Sequence, residues 1–232
     1  MIEHIATHVS TLDNTTQSVS VTCQADDYMI CSMTTDQSLT VTLPTGFVER
    51  INQECTADGM RFVVGTKWAT GAESTITATT GAGGYSTFTL SIFRGVDPTT
   101  PLDITVAGNL TNGANSLPYT ATKSVTPVTT NTTIVTLAGW DLVYYLHADT
   151  VTTVFSDNLA ANLQWTTAAN TNNSWSYKVK SAVGYARCDR FPAAISCSAT
   201  CSTSALNITT GYVMAVVVLR EKIDTTISWL TA

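Results

Sequence analysis

Hydrophobic and polar residues alternate with a period of two along much of this chain. The clearest alternation covers residues 17–22, 39–43 and 87–93, where Val, Leu, Ile or Phe alternates with Ser or Thr. Because successive side chains of a strand point to opposite faces of a sheet, this pattern predicts half-buried β-strands. Segments rich in β-branched and aromatic residues predict further strands at 28–33, 61–68, 75–79, 142–147, 175–187 and 212–220.

Turn-forming residues separate these segments, at 44–46, 57–59, 81–84 and 97–98. The one predicted helix is short, at 157–164, with Asp157 as its N-terminal cap. Many short strands between Gly- and Pro-containing turns are typical of sandwiches and barrels. The pattern therefore predicts an all-β fold, a single jelly-roll-like antiparallel β-sandwich with long Thr-rich loops.

The two halves of the chain share no motif at a fixed period, which favours one domain over 1–232 without an internal repeat. Residues 1–16 are predicted to form an N-terminal arm or edge strand, and 221–232 a C-terminal strand or tail. Residues 110–133 are mostly Thr, Asn, Ser, Pro and Ala. This stretch is predicted to be a loop laid over the sandwich or an arm that grips a neighbour.

Composition narrows the functional classes. The 232 residues include 44 threonines, only 12% are charged, and the net charge is −6. An acidic chain lacks the basic face that nucleic acids and anionic lipids require. The longest apolar run, 213–219, is too short to span a bilayer. We therefore expect neither a nucleic-acid nor a membrane partner.

The low charge density also bears on assembly. Exposed sheet edges are normally protected by charged residues, and this chain has few of them. Permanent assembly with other subunits would cover such edges, and this is the interpretation we favour over a simple closed sandwich.

Six cysteines suit disulfides, but the N-terminus lacks the pattern of a secretory signal peptide. Cys23 and Cys31 bracket a predicted hairpin turn and are a candidate pair across two strands. The spacing of the last three cysteines does not match a zinc ribbon and favours local disulfides. Buried thiols are the alternative for all of them: Cys23, Cys31, Cys55, Cys188, Cys197 and Cys201.

No motif for catalysis is found. The chain contains no G-x-S-x-G elbow and no phosphate-binding loop. His4 and His8 would share one face of a strand, but surface histidines are expected rather than a metal pair, and His147 stands alone. Asp26 and Asp27 adjoin at a turn, which suits solvent or calcium better than glycoside cleavage. We therefore expect a protein that is not an enzyme and that carries no cofactor or metal.

The most informative segment is LSIFRGVDPTTPLD, residues 90–103. A buried strand ends at Phe93, and Gly95 is expected to supply a backbone angle or a close approach that a Cβ would forbid. Asp97 is expected to accept backbone N–H groups at the Pro98 turn and to pair with Arg94. Asp103 would close a second turn. Arg94, Gly95 and Asp97 are therefore predicted to form a structural corner.

This segment resembles a phage-type jelly-roll module whose strand ends in Phe/Tyr-Arg-Gly-Val-Asp before a Thr/Pro turn. Looser similarity extends over residues 17–220: LPTGF at 43–47 is similar to the module's turn, and 61–68 to its central strand. The Thr-rich stretch 115–135, the strand at 142–147 and the closing strand at 212–220 also have counterparts. Six cysteines and an aromatic 142–147 strand depart from the commoner members.

The resemblance implies a virion component that binds or assembles. We expect a non-enzymatic capsid decoration (cement) protein, made in the host cytoplasm and then extracellular in the virion. Its partners would be virion proteins, above all the major capsid protein, and further copies of itself in a homo-oligomer such as a trimer. The alternative is a tail-fibre or receptor-binding adhesin with a lectin-like jelly roll. Its candidate sugar-stacking aromatics, for which core positions are the favoured interpretation, are Trp140, Tyr144, Tyr145, Trp165 and Trp175.

Overall fold

A computed structural model describes residues 1–12, 15–55, 59–116, 119–143, 151–158, 164–172, 178–189, 194–203 and 208–223. Over these residues the chain forms antiparallel sheets without a helix, so the predicted all-β sandwich class is confirmed. In particular, no helix in the described part of the chain could cross a membrane.

The first eight strands form a unit that we call the first unit. Its strands are β1 (Glu3–Leu12), β2 (Thr16–Ser20), β3 (Ala25–Thr35), β4 (Val41–Thr42), β5 (Val48–Cys55), β6 (Met60–Thr70), β7 (Thr75–Thr80) and β8 (Ser86–Arg94).

The next eight strands form the second unit. Its strands are β9 (Leu102–Ser116), β10 (Tyr119–Val125), β11 (Thr132–Val143), β12 (Val151–Asp157), β13 (Thr166–Asn172), β14 (Lys178–Cys188), β15 (Ile195–Thr203) and β16 (Ile208–Arg220).

The two units have the same strand order. In the first unit, β1-β8-β3-β6-β5 form one sheet and β2-β7-β4 form another. In the second unit, β9-β16-β11-β14-β13 and β10-β15-β12 repeat this order strand for strand. The chain is therefore a tandem of two similar sandwiches, whereas the sequence predicted a single sandwich without a repeat.

The register repeats as well. In the first unit a bulge between Glu49 and Ile51 lies beside Gly65 on β6. In the second unit a bulge between Thr167 and Ala169 lies beside Gly184 on β14. Both glycines face the partner sheet of their own sandwich, where a Cβ would lie 2.8 Å from Leu43 Cδ1 or 2.3 Å from the Phe155 ring. The same local device is thus used twice.

The four sheets stack as four layers with three apolar cores between them. One core lies within each unit, and the third joins the two five-stranded sheets face to face. We call this third interface the seam. Because both five-stranded sheets are covered on both faces, their central strands are almost fully buried, as in β3, β8 and β16.

The seam relates the units by a pseudo-twofold arrangement. Strand β1 contacts β13, β8 contacts β14, β3 contacts β11, and β5 contacts β9. The first unit contributes three buried aromatic rings, Tyr28, Phe62 and Phe93, beside its aliphatic side chains, whereas the fully buried residues from the second unit are aliphatic. Thr34 and Thr87 both hydrogen-bond to Ser181 across the seam. Gly139 permits the close approach, since a Cβ there would lie 2.4 Å from Thr34 Oγ1.

These strands settle two of the segment predictions. Residues 3–12 of the predicted arm or edge strand form an edge strand, paired with β8. The predicted loop at 110–133 is wrong over most of its length, because β9, β10 and the start of β11 occupy it as paired strands. Asp157, the predicted helix cap, is the last residue of β12 and accepts a hydrogen bond from Trp165 Nε1 (2.9 Å). Residues 159–163 of the predicted helix, 144–147 and 224–232 lie outside the described residues.

Candidate functional site

The predicted corner lies between the two units. Arg94, the last residue of β8, forms a two-point ion pair with Asp27, with Nε–Oδ1 and Nη2–Oδ2 distances of 2.8 and 2.9 Å. The Asp27 side chain is 1% exposed. It also accepts a hydrogen bond from the Gln24 N–H (2.8 Å). The predicted Arg94–Asp97 pair is therefore wrong: Asp27, 67 residues earlier, is the partner.

The expected backbone angle and close approach of Gly95 and the expected turn bonds of Asp97 are confirmed. Gly95 has φ +80°, and a Cβ there would lie 2.4 Å from the Met1 carbonyl oxygen. Asp97 Oδ1 accepts from the N–H groups of Thr99 (2.8 Å) and Thr100 (3.2 Å). These backbone bonds hold the pKa of Asp97 below its ordinary value.

The corner also binds the end of the second unit. We call residues 95–101 and 220–222 together the joint. Three backbone bonds of 2.9 Å cross it: Asp97 N to the Arg220 carbonyl, Arg220 N to the Pro101 carbonyl, and Lys222 N to the Gly95 carbonyl. The connection between the units is therefore held by the strand that ends the second one.

Asp103 does not close a turn with the preceding prolines. Its carboxylate accepts from the Val128 and Thr129 N–H groups, and it pairs with Arg220 Nη2 at 3.3 Å. Arg220 ends β16 as Arg94 ends β8. Each unit thus closes with an arginine bound to a buried aspartate.

The predicted disulfides are not formed in the described part of the chain. Cys23, Cys31, Cys188, Cys197 and Cys201 are thiols, and the side chain of Cys55 lies outside the described residues. The predicted Cys23–Cys31 pair is too far apart for a disulfide. Cys23 precedes β3, and Cys31 lies six residues into it, about 20 Å along an extended strand from its start. The Cα atoms of a disulfide lie within about 7 Å of each other. Cys197 and Cys201 lie four residues apart on β15 and cannot reach each other. Burial raises the pKa of Cys31 and of Cys197 to about 12 in each case.

His4 and His8 are half-buried, whereas surface positions were expected. The His4 ring stacks on Tyr185 of the second unit, with ring centroids 4.6 Å apart, and lies 5.3 Å from Phe93. Burial lowers the pKa of both His4 and His8. His147 lies outside the described residues. Asp26 is exposed with φ +66°, and no group of three metal-ligating side chains occurs among the residues that the structure describes.

A cavity that the sequence did not indicate opens at the edge of the seam. Its volume is about 300 Å³. Strands β3, β5 and β6 and the start of the second unit supply its walls: Tyr28, Gly46, Val48, Arg50, Thr66, Lys67, Trp68 and Pro101. One sequence feature could have indicated it. Thr66 and Trp68 are two residues apart on β6 and therefore lie on the same face, on a strand whose other end is apolar.

Of the predicted sugar-stacking aromatics, Trp165 is the one whose side chain the structure describes, and it lies away from this cavity. Trp165 packs against Phe155 in the core of the second unit, with centroids 6.0 Å apart. The Trp140 side chain, and all of Tyr144, Tyr145 and Trp175, lie outside the described residues.

Comparison with known proteins identifies no relative of this chain. No protein-family model, no curated protein and no solved structure matches the chain significantly.

Proposed function

We propose that this protein is a non-enzymatic structural component of a bacteriophage virion, a capsid decoration protein that stabilises the shell. Each unit would be a jelly roll, since strands numbered 1-8-3-6 in one sheet facing 2-7-4 in the other follow the order of that fold. The Phe93–Arg94–Gly95–Val96–Asp97 motif supports the resemblance to phage modules, and it leads from the end of β8 into the joint between the two sandwiches.

The observation that carries this proposal is the stacking of the two sandwiches. Because the seam buries both five-stranded sheets, the three-stranded sheets become the outer layers at opposite poles. Such a block suits a mechanical role, in which one subunit bridges neighbouring parts of a shell.

The outer faces indicate how a partner would be bound. Ser18 pairs with Thr77 on one pole and Thr120 with Thr200 on the other, each through hydroxyl oxygens 2.8 Å apart. Outward positions along β2 and β10 are otherwise Thr or Ser: Thr16, Ser20, Thr122 and Ser124. Contact through hydroxyl groups and added strands requires few ion pairs, with the major capsid protein or with further copies of this chain.

Light scattering and sedimentation with undecorated capsids test the proposal. The purified protein, alone and with capsids, is measured at low salt and at about 1 M salt, where the screening length falls to about 3 Å. Saturable binding that persists at high salt is the expected result. Absence of binding at both salt concentrations contradicts the capsid role.

One observation favours a second function, a receptor-binding adhesin. The cavity beside Trp68 combines an aromatic wall with cations, as ligand sites do. Binding of the protein to host cells, with no binding to capsids, would favour this alternative.

A further inference from the structure

The cavity at the edge of the seam has an aromatic and apolar wall. Trp68 is half-buried and packs edge-on against Tyr28, with ring centroids 4.6 Å apart. Val48 is 53% exposed beside it, although most Val residues of this chain are buried. Pro101 of the joint completes the wall. An indole that is fixed from behind and open in front suits the apolar face of a sugar ring.

Of the two cationic side chains that line the cavity, only one is available to bind a ligand. Lys67 is bound to Glu73 (Nζ–Oε1 2.8 Å). Burial alone would raise the pKa of Glu73, but hydrogen bonds from Lys67 and the Thr70 N–H hold it well below its ordinary value. Arg50 has no ion pair with any described residue, and its Nε donates to Thr66 Oγ1 at 2.8 Å. This bond orients the guanidinium, which lies close to the Tyr28 hydroxyl, and leaves its terminal N–H groups without a carboxylate partner among the described residues.

The base of the cavity contains a buried hydroxyl group. The Tyr28 hydroxyl lies close to the side chains of Thr66 and Arg50, and it forms no well-aligned hydrogen bond with a described residue. Tyr28 is 2% exposed overall. A ligand oxygen in the cavity would give this buried hydroxyl a well-aligned partner.

We propose that this cavity binds an acidic sugar, with the carboxylate on Arg50 and the ring on Trp68. A guanidinium fork matches a carboxylate in two-point geometry. A single available cation favours one negative charge over a polyphosphate. A volume of about 300 Å³ lies at the small end of ligand sites and suits one sugar residue. This inference is independent of the capsid role.

Isothermal titration calorimetry of the full chain with glucuronic acid and with sialic acid tests the site. Glucose and acetate are the matched controls, because each lacks one half of the proposed ligand. The expected result is saturable binding of at least one acid, about tenfold or more tighter than either control. Equal affinity for acetate would assign the site to any carboxylate and overturn the sugar proposal.

Variants locate the binding. Arg50→Met is expected to weaken binding about tenfold or more. Arg50→Lys is expected to retain part of it, because the charge remains but the fork is lost. Arg61→Met is the control, since it removes the same charge from β6 at a side chain bound to Glu54 and Asn52. Trp68→Phe, checked by circular dichroism, is expected to weaken sugar acids more than acetate. No binding of either acid to the folded wild type, or unchanged affinity in folded Arg50→Met, would overturn the proposal.

Discussion

The two units have the same topology, but the residues of their cores differ in size. The first unit fills its core with large side chains such as Met29, Met33 and Phe88. The second contains more small ones, above all alanines and cysteines, and its buried aromatic side chains are Phe155 and Tyr212. Strand order and bulge position are nevertheless the same. Topology therefore tolerates a wide choice of core residues, provided that volume and the period-two pattern are kept.

The largest contrast is expected at the equivalent glycines. Neither Gly65 nor Gly184 has a positive φ, so substitution by Ala tests space alone. At Gly184 the new Cβ would meet the Phe155 ring at 2.3 Å, whereas at Gly65 it would meet the mobile end of Leu43 at 2.8 Å. Urea unfolding should show a loss of about 3 kcal/mol for Gly184→Ala and of about 1 kcal/mol for Gly65→Ala.

A compensating change identifies the cause. Phe155→Leu should recover part of the stability in the Gly184→Ala background while destabilising the wild type. If the double variant is no more stable than Gly184→Ala alone, the Phe155 contact is not responsible.

The next largest contrast is expected between the arginines that end the two units, Arg94 and Arg220, in the loss of melting temperature on substitution. Arg94→Ala leaves the buried Asp27 carboxylate with only the Gln24 N–H as a donor. Arg220→Ala leaves Asp103 with the Val128 and Thr129 donors. Melting temperature should therefore fall more for Arg94→Ala, because an unpaired buried charge is costly. Equal losses would mean that the two aspartates are equally satisfied without their arginines.

Asp27→Asn and Asp97→Ala complete that comparison. Asp27→Asn should recover part of the loss in the Arg94→Ala background. Asp97→Ala removes only turn bonds that lie at the surface, and should lower the melting temperature least.

A smaller effect is expected from His4, which the second unit lacks at the equivalent position. Its folded-state pKa lies below the ordinary value of about 6.5, so the unfolded chain binds more protons as pH falls. The part of the unfolding free energy that depends on neutral His4 is therefore fully present above about pH 6.5, and it is lost as pH falls through the folded-state pKa. His4→Phe keeps the stacking on Tyr185 and should lose less unfolding free energy between pH 7 and pH 5. His8→Gln measures the share of the other histidine; an unchanged slope in His4→Phe would contradict the role given to His4.

The last prediction concerns local opening of the fold, and it requires no substitution. It tests whether the two units open together or separately. Cys31 and Cys197 lie in different units, and burial raises each pKa to about 12, so neither thiol reacts while the fold is closed. Because the seam shares one core, thiol labelling followed by mass spectrometry should give equal opening free energies for both. Much faster labelling of Cys197 would show that the second unit opens alone.

The sequence indicated the central strands and missed the duplication. Strands such as β6 and β8 combine β-branched residues with clear alternation, and were predicted. Strand β9 contains three asparagines and two glycines among few apolar residues, and only its pairing with β16 makes it a strand. The repeat is hidden because equivalent seam positions differ in chemistry: Thr87 corresponds to Val213, and Phe93 to Leu219.

The corner was predictable only where its contacts are local. Asp97 binds N–H groups of its own turn, and the positive φ of Gly95 belongs to its own backbone, so the local sequence was enough to assign both. The partner of Arg94 lies 67 residues away, and the cavity at Trp68 combines three strands with Pro101. No spacing in the sequence specifies such distant neighbours.

The short connection 95–101 has a consequence for how the seam responds to dilution. Seven residues tie the end of β8 to the start of β9, so each unit meets the other at an effective concentration on the order of millimolar. The pseudo-twofold contact is thereby intramolecular, although its form is that of a dimer interface. Diluting the protein should leave the seam closed, whereas cutting the chain within 95–101 would make its closure depend on protein concentration.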